Sequence, residues 1–493
     1  MTQLRIEADY REGARSARIA TKSVGLLCHL SSAFCLLYSV FYILTSVLCL
    51  LASVTPSFAD EGASFSGSLN LRGVDRLEKD SVREDPGLTG RLQLDSANPA
   101  WRFHSWLEGG WDGTVKRPPR DHSLFKNYDE IYQSNSPYLE FKELYVTRSS
   151  GALDLRAGIQ RFAWGRLDEY PPNDLLNPWD YTQFLVKPLE DRKIGVPSLS
   201  ATVNNNDWTY DAVWVPVFVP YRLPLPNERW QGASLAGAVA EAVPNAEIMP
   251  REPDLPGHTI GNSTVGLRVK HSGDIEWALN LFHGYDPRPL FKTTALAIIP
   301  QGAKVLIDPG YVPDFHKIDV IGMDAAAVRG DLSLRAEAAY TLNRYLDINR
   351  SLWGYPVAPA PGIQPLNPIE QKHNVIDYGV GADYRLFEDA LLTIQAQQTL
   401  ILGNTDRLYE KNAETLLWAN VKIGWMNQKI ETNVNLAYNP EHGGTMGKAD
   451  ATYVFSDSWK MVVTALNLDG PSQSLFGRYS RNDQVEGKLV YSW

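Results

Sequence analysis

The sequence predicts an all-β protein: a closed antiparallel transmembrane β-barrel of about eighteen strands, with sixteen as the alternative count, short periplasmic turns and long extracellular loops. Three observations carry this. Apolar and polar residues alternate with a period of two in segment after segment, the links between segments are short and long by turns, and the final residues alternate up to an aromatic end. Composition agrees. Of 493 residues, 44% are hydrophobic and 21% charged, with 14 Trp, 23 Tyr and 37 Gly against three Cys and six Met. A mean hydropathy of −0.26 excludes a polytopic helical membrane protein. A net charge of −10 without any basic run argues against a nucleic-acid binder.

The chain opens with a polar, Arg-bearing stretch, residues 1–22. An uncharged run from Ser23 to Phe58 follows and ends in Ser57-Phe58-Ala59. Basic start, apolar middle and small residues at the cleavage position describe a secretory signal over 1–59, the reading preferred to a retained anchor. Cys28, Cys35 and Cys49 all lie within it. The expected mature chain, 60–493, therefore carries no thiol, which excludes disulfides, thiolate metal sites and Cys-linked haem. Removing five basic and three acidic leader residues leaves 42 and 54, a net −12.

The alternations place strands at roughly 63–76, 87–96, 101–113, 138–148, 152–164, 197–205, 208–217, 263–271, 274–284, 316–329, 331–343, 374–387, 389–402, 413–426, 429–439, 446–456, 458–469 and 483–493. Links after even-numbered strands are tiny, such as Asn206-Asp207, Gly330 and Asp457. Those after odd-numbered strands are longer, reaching 218–262, 285–315 and 344–373. A soluble sandwich has no reason to sort its loops this way, whereas a membrane barrel does. Val485, Gly487, Leu489, Tyr491 and Trp493 alternate to the end, a pattern similar to the C-terminal assembly signal of Gram-negative outer-membrane barrels. Trp111, Tyr145, Trp214, Trp277, Trp425, Tyr438 and Trp459, near strand ends, are expected to form interfacial girdles. Lipid offers a strand edge no hydrogen bonds, so the sheet must close, and this many strands enclose water.

From Glu143 to Pro224 the chain reads Glu143-Leu144-Tyr145-Val146, Gly158-Ile159-Gln160-Arg161-Phe162-Ala163-Trp164-Gly165, Asn173-Asp174-Leu175-Leu176-Asn177-Pro178-Trp179-Asp180, Trp214-Val215-Pro216 and Pro220-Tyr221-Arg222-Leu223-Pro224. This resembles a porin-like outer-membrane family labelled a domain of unknown function, related to the alginate-export barrels. The resemblance implies an outer-membrane barrel of porin type and no particular solute.

The residues themselves say more. Trp164-Gly165 is expected to end the fifth strand. Residues 166–196, stiffened by Pro171-Pro172 and Asn177-Pro178, then form a candidate constriction loop that folds inward rather than capping the barrel outside. That loop brings Arg161, Arg166, Asp168, Glu169, Asp174, Asp180, Arg192 and Lys193 near the lumen, where charge sets conductance and ion preference. The polar phase of the strands gives a lumen lining of Arg91, Arg102, Glu108, Asp154, Arg156, Arg268, Glu276, Arg335, Glu337, Asp377, Asp383 and Arg385. Both signs occur in similar number, unlike the basic excess a polyanion exporter would need.

No two of the eight remaining His residues have metal-ligand spacing, and His104 reads as a solvated lumen residue. No nucleophile elbow, P-loop or dinucleotide fingerprint is present, so no cofactor, metal or catalytic residue is expected. The Pro-rich stretch 354–368 reads as a stiff exposed loop. The resulting expectation is a passive channel for small hydrophilic solutes or ions. It would sit in outer-membrane lipid, be inserted by the barrel-assembly machinery, and leave room for a homo-oligomer or a periplasmic partner. Two alternatives are a barrel sheath docking a cofactor-bearing electron-conduit subunit and an outer-membrane hydrolase.

Overall fold

A sheet with one apolar and one charged face cannot bury both in a single protein core. It can serve both by closing, with lipid on one side and water on the other. The chain does so in the computed structural model, which describes residues 62–77, 86–97, 100–113, 128–132, 136–224, 229–231, 245–248, 251–293, 297–308, 311–347, 370–408 and 410–493. The expected leader 1–59 with its cysteines, His122 and the Pro-rich stretch 354–368 lie outside the described residues.

Eighteen strands form the wall. They are β1 (Ser64–Arg76), β2 (Gly87–Ala97), β3 (Trp101–Asp112), β4 (Tyr138–Ser150), β5 (Leu153–Gln160), β6 (Val196–Asn205), β7 (Trp208–Val215), β8 (Thr264–His271) and β9 (Ile275–Tyr285). There follow β10 (Lys317–Arg329), β11 (Leu332–Asp347), β12 (Glu370–Phe387), β13 (Ala390–Leu402), β14 (Ala413–Trp425), β15 (Ile430–Asn439), β16 (Gly444–Val454), β17 (Trp459–Asp469) and β18 (Gln484–Ser492). Each pairs antiparallel with its neighbour in the chain. β1 closes on β18 from Ser68↔Ser492 to Arg76↔Gln484. Every long strand edge is thereby paired. Among the described residues no helix is long and apolar enough to cross a membrane.

The two faces follow the expected phase. Along β10, Ile321 and Met323 are exposed on the outside while Val320 and Asp324 are buried inside. Along β9, exposed Leu279 and Leu281 alternate with buried Ala278, Asn280 and Phe282. At the end with the short turns, left-handed residues reverse the chain: Gly151, Asn206, Gly330 and Asn427 have φ of 59°, 51°, 60° and 56°. Trp111, Trp214, Trp425, Tyr438 and Trp459 are exposed on the outer face. Trp277 joins them, packed edge-on against Trp208 at 5.5 Å between ring centroids.

Two expectations need correction. The fifth strand does not run to Trp164-Gly165 but stops at Gln160. Gln160 turns its side chain back to the Ser198 carbonyl at 2.9 Å, and Phe162 N–H donates to Asn177 Oδ1 at 2.6 Å, so the chain leaves the wall at this point. Tyr145 belongs to the interior rather than the girdle. The pairing of β3 with β4 shifts between Trp106 and Leu107, where Glu143 and Phe141 are the partners and Lys142 is the extra residue. That bulge moves Tyr145 to the inner phase, beside His104 at 5.0 Å and beneath the Arg156 guanidinium at 4.8 Å.

Candidate functional site

Between β5 and β6 the chain makes its one excursion described without a break among the longest connections, residues 161–195, and this segment lies against the inner faces of strands all round the barrel. Its base is fastened by Asn177, which is fully buried. Besides accepting from Phe162, Asn177 Nδ2 donates to the Gln160 carbonyl at 3.0 Å and the Ile194 carbonyl at 2.8 Å. One side chain thus ties the end of β5 to the start of β6. From this base Trp164, Leu176 and Ile194 pack on Val213, Val215, Phe282, Ile318, Val320 and Ala339 of β7 to β11. Further along, Phe184 and Leu185 reach Trp418, Ala437, Met446, Leu466 and Leu468 of β14 to β17. The apolar contacts of the segment therefore fall on two separate stretches of wall.

Space for it is built into the strands. A Cβ on Gly266, Gly322 or Gly379 would lie within 3.0 Å of Trp164, Asn173 or Leu167 respectively. Between these contacts the polar inner residues act as pins. Arg268 donates to the Trp164 carbonyl at 2.5 Å and to Asp324 at 3.0 Å. Arg166 pairs with the same Asp324 and with Glu276 at 3.1 Å. Glu337 accepts three backbone N–H groups, from Arg166 at 2.8 Å, Leu167 at 3.1 Å and Asn173 at 2.6 Å. Arg335 donates to the Arg166 carbonyl at 2.7 Å, to Asp168 at 3.0 Å and to Asp383 at 2.9 Å. Gln395 bonds the Asp168 backbone through both ends of its amide, and Gln397 donates to the Glu169 carbonyl at 2.7 Å.

On the β1 to β4 side, Arg161 pairs with Glu143 at 2.9 Å, Asp191 with Arg91 at 2.7 Å, and Gln183 donates to Asp112 at 3.3 Å. Arg161 also lies 4.2 Å over the Trp106 ring. Six further charges of the segment pair among themselves: Glu169 with Arg192, Asp174 with Lys193, and Asp180 with Lys187 at 3.0 Å. Asp174, Asp180 and Arg192 are buried by this pairing. For Asp174 the burial raises the carboxyl above its ordinary range, and Lys193 only partly offsets it. For Arg192 burial works against the charge, but Glu169 outweighs it and holds the guanidinium protonated. Residues 216–224 sit alongside. Arg222 is buried with Nη1 bonded to both Glu140 oxygens at 2.7 and 2.9 Å, close to Asp180 and Lys142.

All eight residues named for the loop thus lie inside the barrel, yet their roles divide. Arg161, Arg166 and Asp168 hold the segment to the wall, while Glu169, Asp174, Asp180, Arg192 and Lys193 hold its own shape. Of the lumen list, Arg91, Glu108, Arg268, Glu276, Arg335, Glu337 and Asp383 meet the segment or its pins. Asp377 meets Arg344 instead, at 3.4 Å. Arg102 with Asp154, Arg156 on Tyr145, and Arg385 near Asp331 stay at the short-turn end, apart from it. At the chain end, Gly487 and Leu489 lie on β18, and Tyr491 packs between Trp459 at 4.8 Å and Trp493 at 5.7 Å.

The reading of the sequence missed Asp324, which carries two guanidiniums, and Glu140, Lys142, Gln395 and Gln397. Asp324, Gln395 and Gln397 stand in the inner phase of strands already recognised. Lys142 and Glu143 are adjacent yet both face inward, because of the bulge.

Among solved structures the chain is similar to OccAB1 of Acinetobacter baumannii, at 8% identity over 89% of this chain and 97% of that one, TM-score 0.47. OccK8 (OprE) of Pseudomonas aeruginosa gives 11% identity, 87% and 97% coverage, TM-score 0.45. OmpF of Salmonella typhi, in complex with daunomycin, gives 10%, 88% and 98%, TM-score 0.38. No curated protein matches. The family model described as "Protein of unknown function (DUF1302)" matches residues 79–459, and the chain belongs to that family.

Proposed function

We propose that this protein is an outer-membrane channel through which small hydrophilic solutes or ions diffuse passively, and that residues 161–195 are its constriction. The supporting observation is the segment held inside a closed barrel by Arg268, Asp324, Glu337, Arg335, Gln395 and Gln397 on one stretch of wall and by Arg91 and Glu143 on another. An apolar outer face suits lipid, and a charged, hydrogen-bonded inner face suits water. A segment so placed narrows the path without moving parts, and its charges set the field a solute crosses. The same segment occupies the space a sheathed partner protein would need, which favours the channel over a sheath.

The test is planar-bilayer recording of the purified protein. Stable unitary steps are expected, and replacing residues 166–193 by a short Gly/Ser link should enlarge them several-fold. A protein that folds in detergent yet gives no steps would overturn the channel reading. Equal steps with and without the segment would overturn the constriction.

A further inference from the structure

The cations and the carboxylates of the inserted segment are not equally open to water. Its five cations are covered: Arg161, Arg166, Lys187, Arg192 and Lys193 have side chains only 13%, 16%, 23%, 1% and 12% exposed, each against a carboxylate. Asp168 is different. Its side chain is 50% exposed and shares the single guanidinium of Arg335 with Asp383. Glu190 is exposed as well, and among the described residues only its backbone carbonyl is bonded, by Arg161 at 2.7 Å. Two more open cations, Lys270 and Arg288, each lie within 4.0 Å of a carboxylate, Glu276 and Asp286.

We infer that the constriction prefers cations, with Asp168 and Glu190 as the residues that set the preference, so that small organic cations pass more readily than anions of the same size. This rests on the channel reading above. A covered ion pair presents a dipole whose field falls off quickly, whereas a water-facing carboxylate presents a whole charge to a solute passing within a few ångströms. In a narrow path with low-dielectric walls that charge raises the local concentration of counter-ions and lowers that of co-ions.

The test is the reversal potential of single channels in a KCl gradient, for the wild-type protein and for Asp168→Asn with Glu190→Gln. The expected wild-type result is a K⁺ permeability about threefold or more above that of Cl⁻, the size of effect one or two unscreened charges produce at such range. The double variant should bring the ratio towards unity. Glu190→Gln alone disturbs no side-chain bond and should give part of the shift even if Asp168→Asn loosens the segment. Liposome swelling should rank choline above gluconate. A wild-type channel that prefers Cl⁻, or a ratio the double variant leaves unchanged, overturns the inference while leaving the channel itself standing. Absence of any steps would instead remove the reading on which it rests.

Discussion

Asp324 shows what single residues do here. Its carboxylate is fully buried and meets Arg166, Arg268 and Asn280, so one side chain on β10 anchors both the inserted segment and the neighbouring wall. Truncating one member of such a buried set leaves the others charged and without a partner, a loss of about 3–5 kcal/mol. Asp324→Ala should therefore free the segment while the barrel, closed by main-chain bonds, persists. Noisier open-channel current and trypsin cleavage within 161–195 are the expected readouts; a quiet, protected variant would show that the other pins suffice. Asp286 offers a second case, outside the wall. Burial alone would raise its carboxyl, but Arg344 and Arg288 outweigh that and hold it below the ordinary range. A carboxylate with a depressed folded pKa contributes stability above its unfolded value of about 3.9, and that contribution fades as pH falls through the folded value. Peptic cleavage at residues 286–293 should thus rise as pH falls below about 4. Asp286→Asn should be cleaved already at pH 4.

At the scale of elements, the contrast between strand and segment explains what the sequence discloses. Strand positions follow from a two-residue period imposed by water on one side and lipid on the other, and that period is local. It was readable to within a few residues at most strand ends, and so was the inner phase that carries Arg268, Glu337 and Arg335. Where it failed, long-range contacts had decided. β5 stops at Gln160 because Asn177, seventeen residues on, takes the Phe162 N–H. Tyr145 faces inward because a bulge at Lys142 shifts the phase of β4, a shift visible in Leu139-Phe141 giving way to Leu144-Val146. The pairing of Asp168 with Arg335 and of Asp191 with Arg91 joins residues far apart in the chain, with no periodicity to reveal it. The fit of segment to wall is also steric. A side chain at Gly322 would meet Asn173 Oδ1 at 1.7 Å from its Cβ. Gly322→Val should displace the segment and raise conductance towards that of the loop deletion, whereas Ala325→Val, one position in the outer phase of the same strand, should leave conductance unchanged. Equal conductance for the two variants would mean that the segment has slack at this point.

The whole molecule depends on one seam. Seventeen strand pairs join neighbours in the chain and form locally, but the eighteenth joins β1 to β18 across more than four hundred residues, so closure entropy falls on that contact alone. Its far end is secured by Trp493, whose N–H and C=O both bond Gly67 at 3.1 Å and whose indole lies over the Gly67 backbone, 2.3 Å from where a Cβ would stand. Gly67 is thus the seat of the last side chain. Replacing Gly67 by Leu would evict the indole, and Trp493→Ala would empty the seat, and both act on the seam rather than on any single strand. An open seam exposes two strand edges, which lipid cannot satisfy, so the partly closed sheet should persist longer before the final pairing. Each variant should therefore fold more slowly into detergent or vesicles, by about threefold to tenfold, since lost contact of roughly 1 kcal/mol at a late-forming pair appears largely in that step. Once closed, each should show wild-type conductance, because the seam at Trp493 lies on the outer face and touches no residue of the inserted segment. The gel-mobility shift of heated against unheated samples follows the kinetics, and bilayer recording follows the pore. A variant that folds at the wild-type rate would place the slow step elsewhere, and altered conductance after closure would mean that the seam and the lumen are coupled.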